Sequence, residues 1–148
     1  MIEIKELSSY SKEAGENIRN LLIQLSRSGR DPGETSQELV EEIINSPFHT
    51  LIVAEEDGKI LGMATVSIVM GMGIQKNIYL EDFVVAEETR GKGVGGMLWD
   101  SIIAWGKSHG CNNLEFTSGK DRTNALAFYA EHGAEIYDTN FFRKKLAE

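Results

Sequence analysis

The sequence predicts a single α/β domain built around one mixed, mostly antiparallel sheet. At 148 residues the chain is long enough for one hydrophobic core and too short for two domains of ordinary size, so one domain spanning 1–148 is expected. Apolar residues recur with strand and helix periods in the order β-α-α-β-β-β-α-β-α-β-β. Consecutive strands with no helix between them are typical of an antiparallel meander.

The first third of the chain predicts one strand followed by two helices. Residues 2–7 alternate between apolar and charged side chains, as a half-buried strand does. Ser8 or Ser9 is expected to cap the first helix, and Ser36 the second, which ends before Pro47. The apolar stripes of these helices are Ile18, Leu21, Leu22 and Leu25 in the first, and Leu39, Val40, Ile43 and Ile44 in the second.

The middle of the chain predicts a three-stranded meander. Residues 50–55 and 59–69 flank Glu56-Asp57-Gly58, the residue types of a tight hairpin turn. After an irregular stretch at 70–73, residues 76–85 form the third strand.

A helix over 94–108 follows the meander and stops at His109-Gly110. Its apolar side is expected to contain Val94, Met97, Leu98, Ile102 and Trp105. Trp99 and Trp105 are expected to serve packing rather than recognition, with exposure of Trp99 as the alternative because it falls off this stripe.

The last third of the chain predicts a strand at 113–117 and a short helix at 122–131 that Gly133 ends. Two short β segments, at 134–137 and 141–146, are expected to close the fold.

Composition excludes several functional classes. Fifteen basic and 23 acidic residues give a formal charge of −8, which argues against a nucleic-acid partner and favours a cationic or amine-bearing one. No apolar run is long enough to cross a bilayer, so no membrane partner is expected. A single cysteine, Cys111, and the lack of a signal-like start indicate the cytoplasm. The three histidines are scattered without ligand spacing, so no metal site is expected.

The most informative stretch is a glycine-rich loop between the third meander strand and the long helix. Glycines allow positive φ and close backbone approach, and a helix N-terminus attracts anions, so this loop is a candidate pyrophosphate site. Gly91, Gly93 and Gly96 also fit the G-x-G-x-x-G spacing of Rossmann modules, in which Glu115 would be the ribose-binding acid. A plain turn between strand and helix is the simplest alternative.

Two motifs on separate elements resemble the GCN5-related N-acetyltransferase (GNAT) family. They are Arg90-x-x-Gly93-x-Gly95, after the fourth strand, and Asn124-x-x-Ala127-Phe128-Tyr129-x-x-x-Gly133, on the last helix. The resemblance covers essentially the whole chain. It implies a sheet with helices on both faces, splayed fourth and fifth strands, and acetyl-CoA as the acetyl donor. The sequence departs from the family pattern at Ala134, where a large aromatic residue is usual.

The resemblance also implies which residues hold acetyl-CoA. The backbone from Gly91 to Gly96 would bind the pyrophosphate, with Arg90 and Lys92 adding positive charge, and Asn124 would contact the cofactor. The exposed backbone of Phe83 to Val85 would pair with the pantetheine arm, and one of its N–H groups would stabilise the oxyanion. The cofactor-binding set is therefore Phe83, Val84, Val85, Arg90, Gly91, Lys92, Gly93, Val94, Gly95, Gly96 and Asn124.

Three residues are candidates for catalysis. Tyr129 matches the family tyrosine that protonates the departing thiolate. Glu81 and Asp82 are candidates for the base that removes a proton from the acceptor amine. Adjacent strand residues face opposite sides, so only one of them is expected to face the cleft, unless a bulge intervenes. Glu81 is favoured because it has the parity of Phe83 and Val85, while ammonium binding with water as the proton carrier is the alternative.

The resulting interpretation is an acetyl-CoA-dependent N-acetyltransferase that acetylates a primary amine by direct attack in a ternary complex. A small-molecule amine is preferred over a protein or peptide amine. The alternatives of another class are a non-catalytic acyl-CoA sensor and a Rossmann-type nucleotide-binding module. The resemblance also implies a possible homodimer, and the apolar pair Phe141 and Phe142 is expected either in such a subunit contact or in the core.

Overall fold

The computed structural model describes residues 1–147. The chain divides into two compact units, Met1–Phe116 and Thr117–Glu148. The first unit contains the whole sheet and three of the four α-helices found in the described chain.

A five-stranded sheet forms the centre of the first unit within the described residues. Its strands are β1 (Glu3–Glu6), β2 (His49–Glu56), β3 (Lys59–Gly71), β4 (Gln75–Val85) and β5 (Leu114–Glu115). The strands lie in chain order; β1 to β4 pair antiparallel, and β5 pairs parallel with β4. The predicted mixed, mostly antiparallel sheet is confirmed. The Rossmann alternative is wrong, because that fold requires a mostly parallel sheet.

Helices α1 (Lys12–Leu25) and α2 (Gln37–Asn45) begin at serine caps. Ser36 Oγ accepts a 3.1 Å hydrogen bond from the Leu39 amide, as predicted. The cap of α1 is Ser11, whose Oγ accepts a 3.0 Å bond from the Ala14 amide, so the expected Ser8 or Ser9 cap is wrong. The reason is that the Leu7 amide still donates to Leu51 O at 2.8 Å, which keeps this segment extended beside β2.

One face of the sheet is covered by α1 and α2. Ile18 and Leu21 of α1 pack with Val40 of α2 against Val53 and Met63 of the sheet. These side chains are between 0% and 6% exposed. Burying an aliphatic side chain of this size contributes about 1.5–3 kcal/mol relative to leaving it exposed, so this face supplies much of the stability.

The opposite face is covered by α3 (Val94–Ser108), with the predicted bounds. Leu98 and Val94 lie close to Gly62 of β3, where a Cβ atom would be 3.0 Å from Leu98 Cδ1 and 3.4 Å from Val94 Cγ1. Helices therefore lie on both faces. One expectation for this helix is wrong, since Met97 is 39% exposed. Trp99 is 6% exposed and lies against Phe83 and Phe116, as expected for a residue that serves packing.

The β2–β3 hairpin has the predicted tight turn. Asp57 and Gly58 adopt φ of 50° and 78°, the left-handed values that a two-residue turn between twisted strands requires.

The second unit contains α4 (Thr123–Glu131), which ends at His132 and Gly133, with Gly133 at φ 83°. The two predicted C-terminal β segments, 134–137 and 141–146, are wrong, since no strand forms there. Their apolar side chains find no buried face: Ile136 is 90% exposed and Phe142 is 87% exposed. An alternating pattern gives a strand only when an edge is available to pair with it.

The helices are short compared with a bilayer. The longest, α3, has 15 residues, and a spanning helix needs about 20 apolar residues. Within residues 1–147, no helix is long and apolar enough to cross a membrane.

Candidate active site

Strands β4 and β5 are paired at one end and separate beyond it. In the described chain their ladder has two pairs, Ile78 with Leu114 and Tyr79 with Glu115. From Leu80 to Val85, β4 has no ladder partner on this side within the first unit. The predicted splay of strands 4 and 5 is confirmed, because β4 continues beyond the two residues that pair with β5.

A cluster of polar side chains connects β4 to β5 at the end where the two strands are paired. Asn77, 3% exposed, donates from Nδ2 to Glu115 Oε1 at 3.1 Å. Asn113 Nδ2 donates to Asn77 Oδ1 at 3.2 Å. These side-chain bonds join β4 to β5 beside a very short ladder, so they help to fix where the strands part.

A β-bulge interrupts β4 inside the open stretch. Thr65 pairs with Glu81 and Met63 pairs with Val84, so Asp82 and Phe83 together lie opposite Ala64. Asp82 has φ 51°, a left-handed value that few residues other than glycine, asparagine and aspartate adopt. Its Oδ2 accepts a 3.1 Å hydrogen bond from Thr65 Oγ1.

The bulge changes which side chains share a face. Glu81 lies on the side of its cross-strand partner Thr65, and the Asp82 carboxylate reaches the hydroxyl of that same threonine. Phe83 instead contacts Trp99 of α3, with ring centroids 6.4 Å apart. The bulge is the stated exception to the expectation that only one of the two carboxylates faces the cleft, and the shared parity of Glu81 and Phe83 is wrong. A bulge places two successive residues opposite one, and the simple alternation fails there.

The glycine-rich loop connects β4 to α3. Gly91 and Gly93 have φ of 84° and 79°, and a Cβ atom at either position would meet nothing within 4 Å. Gly93 is the N-cap of α3, where no side chain caps the helix and no acidic residue lies in the first turn. The first helical amides, from Val94 to Gly96, therefore present donors and the positive end of the helix dipole without an internal anion.

The charges near this loop have mixed signs. Arg90 and Lys92 are exposed, and Arg90 Nη1 lies 3.9 Å from Glu87 Oε1. Glu88 pairs with Lys59 Nζ at 3.2 Å, and its own backbone amide, followed by this lysine, lowers the pKa of its carboxyl. The loop thus carries two acidic groups beside its arginine and lysine, and Lys59 at the start of β3 pairs with one of them.

Gln24 and Thr65 are site residues that sequence reasoning missed. Gln24 Nε2 donates to Val85 O at 3.3 Å, and its Oε1 accepts from the Glu87 amide at 3.4 Å. The sequence marked Gln24 only as a polar residue beside the apolar stripe of α1, and its half-burial is a result of the fold. No comparable signal marked Thr65, because only the bulge brings Asp82 to it.

The remaining predicted site residues, Asn124 and Tyr129, lie on α4 in the second unit. Asn124 is exposed in the first turn. Tyr129 is half-buried, and its ring meets Phe128 edge to face with centroids 5.8 Å apart. Burial raises the pKa of the Tyr129 hydroxyl above its ordinary value of 10.0, while the nearby Arg122 charge acts in the opposite direction. The phenol is therefore protonated at neutral pH.

No candidate metal centre is formed by the described residues. Within 1–147, no three His, Cys, Asp or Glu side chains are grouped so that they could hold an ion. The groups gathered at the open strands are backbone amides, two carboxylates and a hydroxyl, which suit hydrogen bonding and proton transfer.

Comparison with known proteins identifies the family. Residues 17–134 match the Acetyltransferase (GNAT) family. The uncharacterized N-acetyltransferase YhdJ of Bacillus subtilis (strain 168) is 25% identical over 144 residues, which cover 97% of this chain and 99% of YhdJ. YobR, another uncharacterized N-acetyltransferase of that organism, is 28% identical over 99 residues, which cover 67% of this chain but 38% of YobR.

A solved structure shares the fold. Aminoglycoside N-acetyltransferase AAC(6')-Iy, in complex with CoA, superposes with a TM-score of 0.78 at 23% identity, covering 99% of this chain and 96% of that one. The family match extends over most of the sequence and includes β4, the glycine-rich loop and α3. The chain therefore belongs to the GNAT family of acetyltransferases and is an acetyl-transferring enzyme.

Proposed function

We propose that this protein transfers the acetyl group of acetyl-CoA to a primary amine of a small molecule, by direct attack in a ternary complex. The observation that carries the proposal is the open edge of β4 from Leu80 to Val85, continued by a glycine-rich loop that leads into the uncapped start of α3. An extended pantetheine arm suits the strand edge, and a pyrophosphate suits the helix start.

The residues present fit acetyl-CoA. Space is open at Gly91 and Gly93, where a Cβ would find no neighbour within 4 Å, so phosphate oxygens can approach the backbone closely. Arg90 and Lys92 supply exposed positive charge beside these glycines. The cofactor-binding assignment is therefore the backbone of Phe83 to Val85 for the arm and 90–96 for the pyrophosphate, with Asn124 as a further contact by its motif.

Two groups of β4 prepare the attack. Glu81 takes a proton from the acceptor ammonium, so that the amine nitrogen can attack the acetyl carbonyl carbon. A backbone N–H of the Phe83–Val85 stretch stabilises the negative charge that develops on the carbonyl oxygen. Removing one such donor costs about 2.7–4 kcal/mol in well-studied acyl-transfer sites.

Tyr129 completes the reaction as a general acid. When the carbon–sulfur bond breaks, its hydroxyl donates a proton to the departing thiolate. Two observations support this role: the tyrosine occupies its place in the motif that begins at Asn124, and its raised pKa keeps the hydroxyl protonated.

The acceptor is proposed to be a small cationic amine. Support comes from AAC(6')-Iy, a fold relative that is named an aminoglycoside acetyltransferase, and from the formal charge of −8. Glu81 and Asp82 place two carboxylates on one side of β4, which attracts an ammonium group. A protein or peptide amine is the second candidate, and acyl-CoA sensing without turnover is the third.

The decisive experiment measures binding and turnover separately. Isothermal titration calorimetry with acetyl-CoA and CoA is expected to give saturable binding. A thiol-release assay over aminoglycosides, polyamines, amino sugars and peptide N-termini is then expected to find turnover with a small amine. No binding at millimolar ligand would overturn the proposal, and binding without turnover on any amine would favour the sensor.

A matched ligand tests the loop assignment. Arg90→Ala and Lys92→Ala are expected to weaken acetyl-CoA binding by roughly threefold to tenfold each, because each loses a charge-assisted contact. Acetyl-pantetheine lacks the pyrophosphate, so its affinity is expected to stay the same in both variants. An equal loss for both ligands would contradict the phosphate assignment.

A homodimer and a cytoplasmic location are part of the proposal. Phe141 and Phe142 are 67% and 87% exposed, and large exposed apolar side chains favour a subunit contact. The free, half-exposed Cys111 is compatible with a reducing compartment. Light scattering of wild type and Phe142→Asp tests the dimer: a monomeric wild type would contradict it.

A further inference from the structure

The bulge at Asp82 is held by a side-chain contact from the neighbouring strand. Asp82 has φ 51°, and its Oδ2 accepts a 3.1 Å hydrogen bond from Thr65 Oγ1. Aspartate tolerates a left-handed backbone better than most residues do, although the extended form remains its more favourable state in a strand. A specific partner is therefore needed to hold this conformation in the middle of β4.

Thr65 is itself firmly placed. It lies on β3, which pairs with β2 on one side and with β4 on the other, and Thr65 has a partner on each, Leu51 and Glu81. Met63, two residues earlier on the same face, is 2% exposed in the core against α1 and α2. The threonine hydroxyl thus projects from a strand paired on both sides toward the bulged residue of its neighbour.

The contact fixes two things at once. It holds the Asp82 carboxylate on the side of Thr65, where Glu81 already lies as the cross-strand partner of that threonine, while Phe83 lies on the α3 side against Trp99. It also fixes the extra residue in β4, and with it the position of the Phe83–Val85 backbone relative to β3. If Asp82 relaxed to an extended conformation, the pairing of the following β4 residues with β3 would shift by one residue, and their side chains would change faces of the sheet.

We propose that Thr65 is a positioning residue for acetyl transfer, acting through Asp82. The Thr65 hydroxyl and the Asp82 carboxylate clamp the bulge, which keeps the Asp82 carboxylate beside Glu81 and aligns the Phe83–Val85 amides with the donor. Asp82 is a partner in this clamp, while Glu81 removes the proton. The inference rests on the proposed function for its catalytic part, whereas the clamp itself has an independent readout.

The test compares Thr65→Val, which keeps the branched shape but loses the hydroxyl, with Thr65→Ser, which keeps the hydroxyl. For Thr65→Val, kcat is expected to fall about tenfold and the Kd of acetyl-CoA to rise several-fold, because a small misplacement of reacting groups is costly. Thr65→Ser is expected to retain most of both. Ser67→Ala removes a hydroxyl from the same face of β3, opposite Tyr79, and is expected to match wild type.

Two variants of Asp82 separate positioning from proton transfer. Asp82→Asn keeps an oxygen that can accept from Thr65 and tolerates positive φ, whereas Asp82→Ala does neither. Positioning predicts that Asp82→Asn retains several-fold more kcat than Asp82→Ala. Equal losses in the two variants would show that the carboxylate performs the chemistry itself and would overturn the inference.

Hydrogen exchange provides the readout that does not depend on activity. In Thr65→Val, amides 80–86 are expected to exchange at least about tenfold faster than in Ser67→Ala, because the bulge opens more often. Unchanged exchange, or unchanged kcat and acetyl-CoA affinity in folded Thr65→Val, would overturn the clamp while leaving the proposed function intact. Failure of wild type to bind acetyl-CoA would instead overturn the proposed function and the catalytic role of the clamp together.

Discussion

Left-handed backbone conformations mark the path from β4 to α3. Gln75 begins the strand at φ 61°, Asp82 forms the bulge at φ 51°, and Gly91 and Gly93 follow at 84° and 79°. Two of these positions carry side chains and two do not. The glycines occupy them without steric conflict, whereas the Asp82 side chain accepts a hydrogen bond from Thr65. At the residue scale, the candidate site is therefore defined by backbone angles as much as by side-chain chemistry.

Gly93→Ala tests whether the loop depends on its backbone angle. Its Cβ would meet nothing within 4 Å, so the expected loss of about 1–2 kcal/mol in the free energy of unfolding comes from the positive φ alone. Gly73→Ala is the matched control, because Gly73 also has open space and lacks a positive φ. Urea denaturation measures both variants, and equal losses would contradict the explanation.

Tyr129→Phe tests the general acid. We expect kcat to fall by about 10²-fold, the lower range for such catalysis because a thiolate leaves readily, while the Kd of acetyl-CoA is unchanged. Tyr137→Phe is the control, since Tyr137 is 81% exposed in the same unit.

The pH dependence of Tyr129 has a definite sign. Because burial raises the pKa of its hydroxyl above 10.0, the folded state favours the neutral phenol. Its contribution to stability is present below pH 10 and is lost as the pH rises through the folded-state pKa. Ultraviolet difference titration of wild type against Tyr129→Phe should locate this ionisation above pH 10, and an ionisation below that value would contradict the effect of burial.

Residue-level prediction succeeded where the chemistry is local. The glycine loop, the Ser36 cap and the Asp57-Gly58 turn each follow from what a residue type permits at its own position. The face of Glu81 could not be predicted in this way. It depends on how many residues of β4 lie opposite Ala64 of β3, and only the paired strands determine that number.

At the scale of elements, the position of α3 is determined by how closely its backbone approaches the sheet. A Cβ on Gly106 would lie 2.7 Å from Ile78 Cδ1 and 3.3 Å from its Cγ1. Ile78 is also the first residue of β4 that pairs with β5. The distance between α3 and the sheet is therefore linked to the paired end of the β4–β5 gap.

Gly106→Ala tests this contact. We expect it to destabilise the protein by about 1–3 kcal/mol, because the added methyl group overpacks a tight site. Ile78→Val removes the Cδ1 atom that the methyl group would meet, so the double variant is expected to lose less than the sum of the single losses. Urea denaturation of the four proteins gives the coupling, and strict additivity would show that the two sites do not touch.

The loop between α1 and α2 is anchored by an ion pair. Arg19 donates from Nε and Nη2 to Asp31 at 2.8 and 2.6 Å. This guanidinium, together with the Gly33 amide, lowers the pKa of Asp31 to about 2. The anchor is therefore present above the ordinary pKa of 3.8 and is lost as the pH falls through about 2.

Asp31→Asn tests this anchor. Because the pair is exposed, the expected drop in melting temperature at neutral pH is small, and it should shrink as the pH falls toward 2. Glu34→Gln, a nearby carboxyl that only adds long-range charge to Arg19, is the control. A difference that persists unchanged at pH 2 would contradict the assignment.

Elements with strong local signals were predicted closely, and those that need a distant partner were not. Helix α3 has the predicted bounds because its apolar repeat, its glycine start and its His109-Gly110 stop all lie within the segment. Strand β5 has two residues where five were expected, and the C-terminal β segments are absent. Strand formation depends on an available neighbouring edge, which a single segment of sequence does not reveal.

At the scale of the whole molecule, the expectation of a single domain means that the whole chain unfolds in one cooperative transition. The chain forms two compact units, Met1–Phe116 and Thr117–Glu148. Of the residues proposed for the reaction, Glu81 and Gly93 belong to the first unit and Tyr129 to the second. If the proposed roles hold, acetyl transfer is expected to require that both units be folded.

Coincident unfolding tests the single domain. Both tryptophans, Trp99 and Trp105, lie in the first unit, so their fluorescence reports its unfolding alone. Hydrogen exchange of 123–131 reports the second unit. We expect the same urea midpoint from both probes, as for one cooperative domain. Separate midpoints would show two independently folding domains.

The aromatic environment of Trp99 has a practical consequence. The centroid of its ring lies 6.4 Å from that of Phe83 on β4 and 6.0 Å from that of Phe116, just after β5. One fluorescent side chain therefore lies beside both of the strands that separate. A ligand that binds in the gap between β4 and β5 is therefore expected to change the fluorescence of Trp99. The Trp105→Phe variant removes the fluorescence of the second tryptophan. Intrinsic tryptophan fluorescence is thus expected to report ligand binding without an added dye.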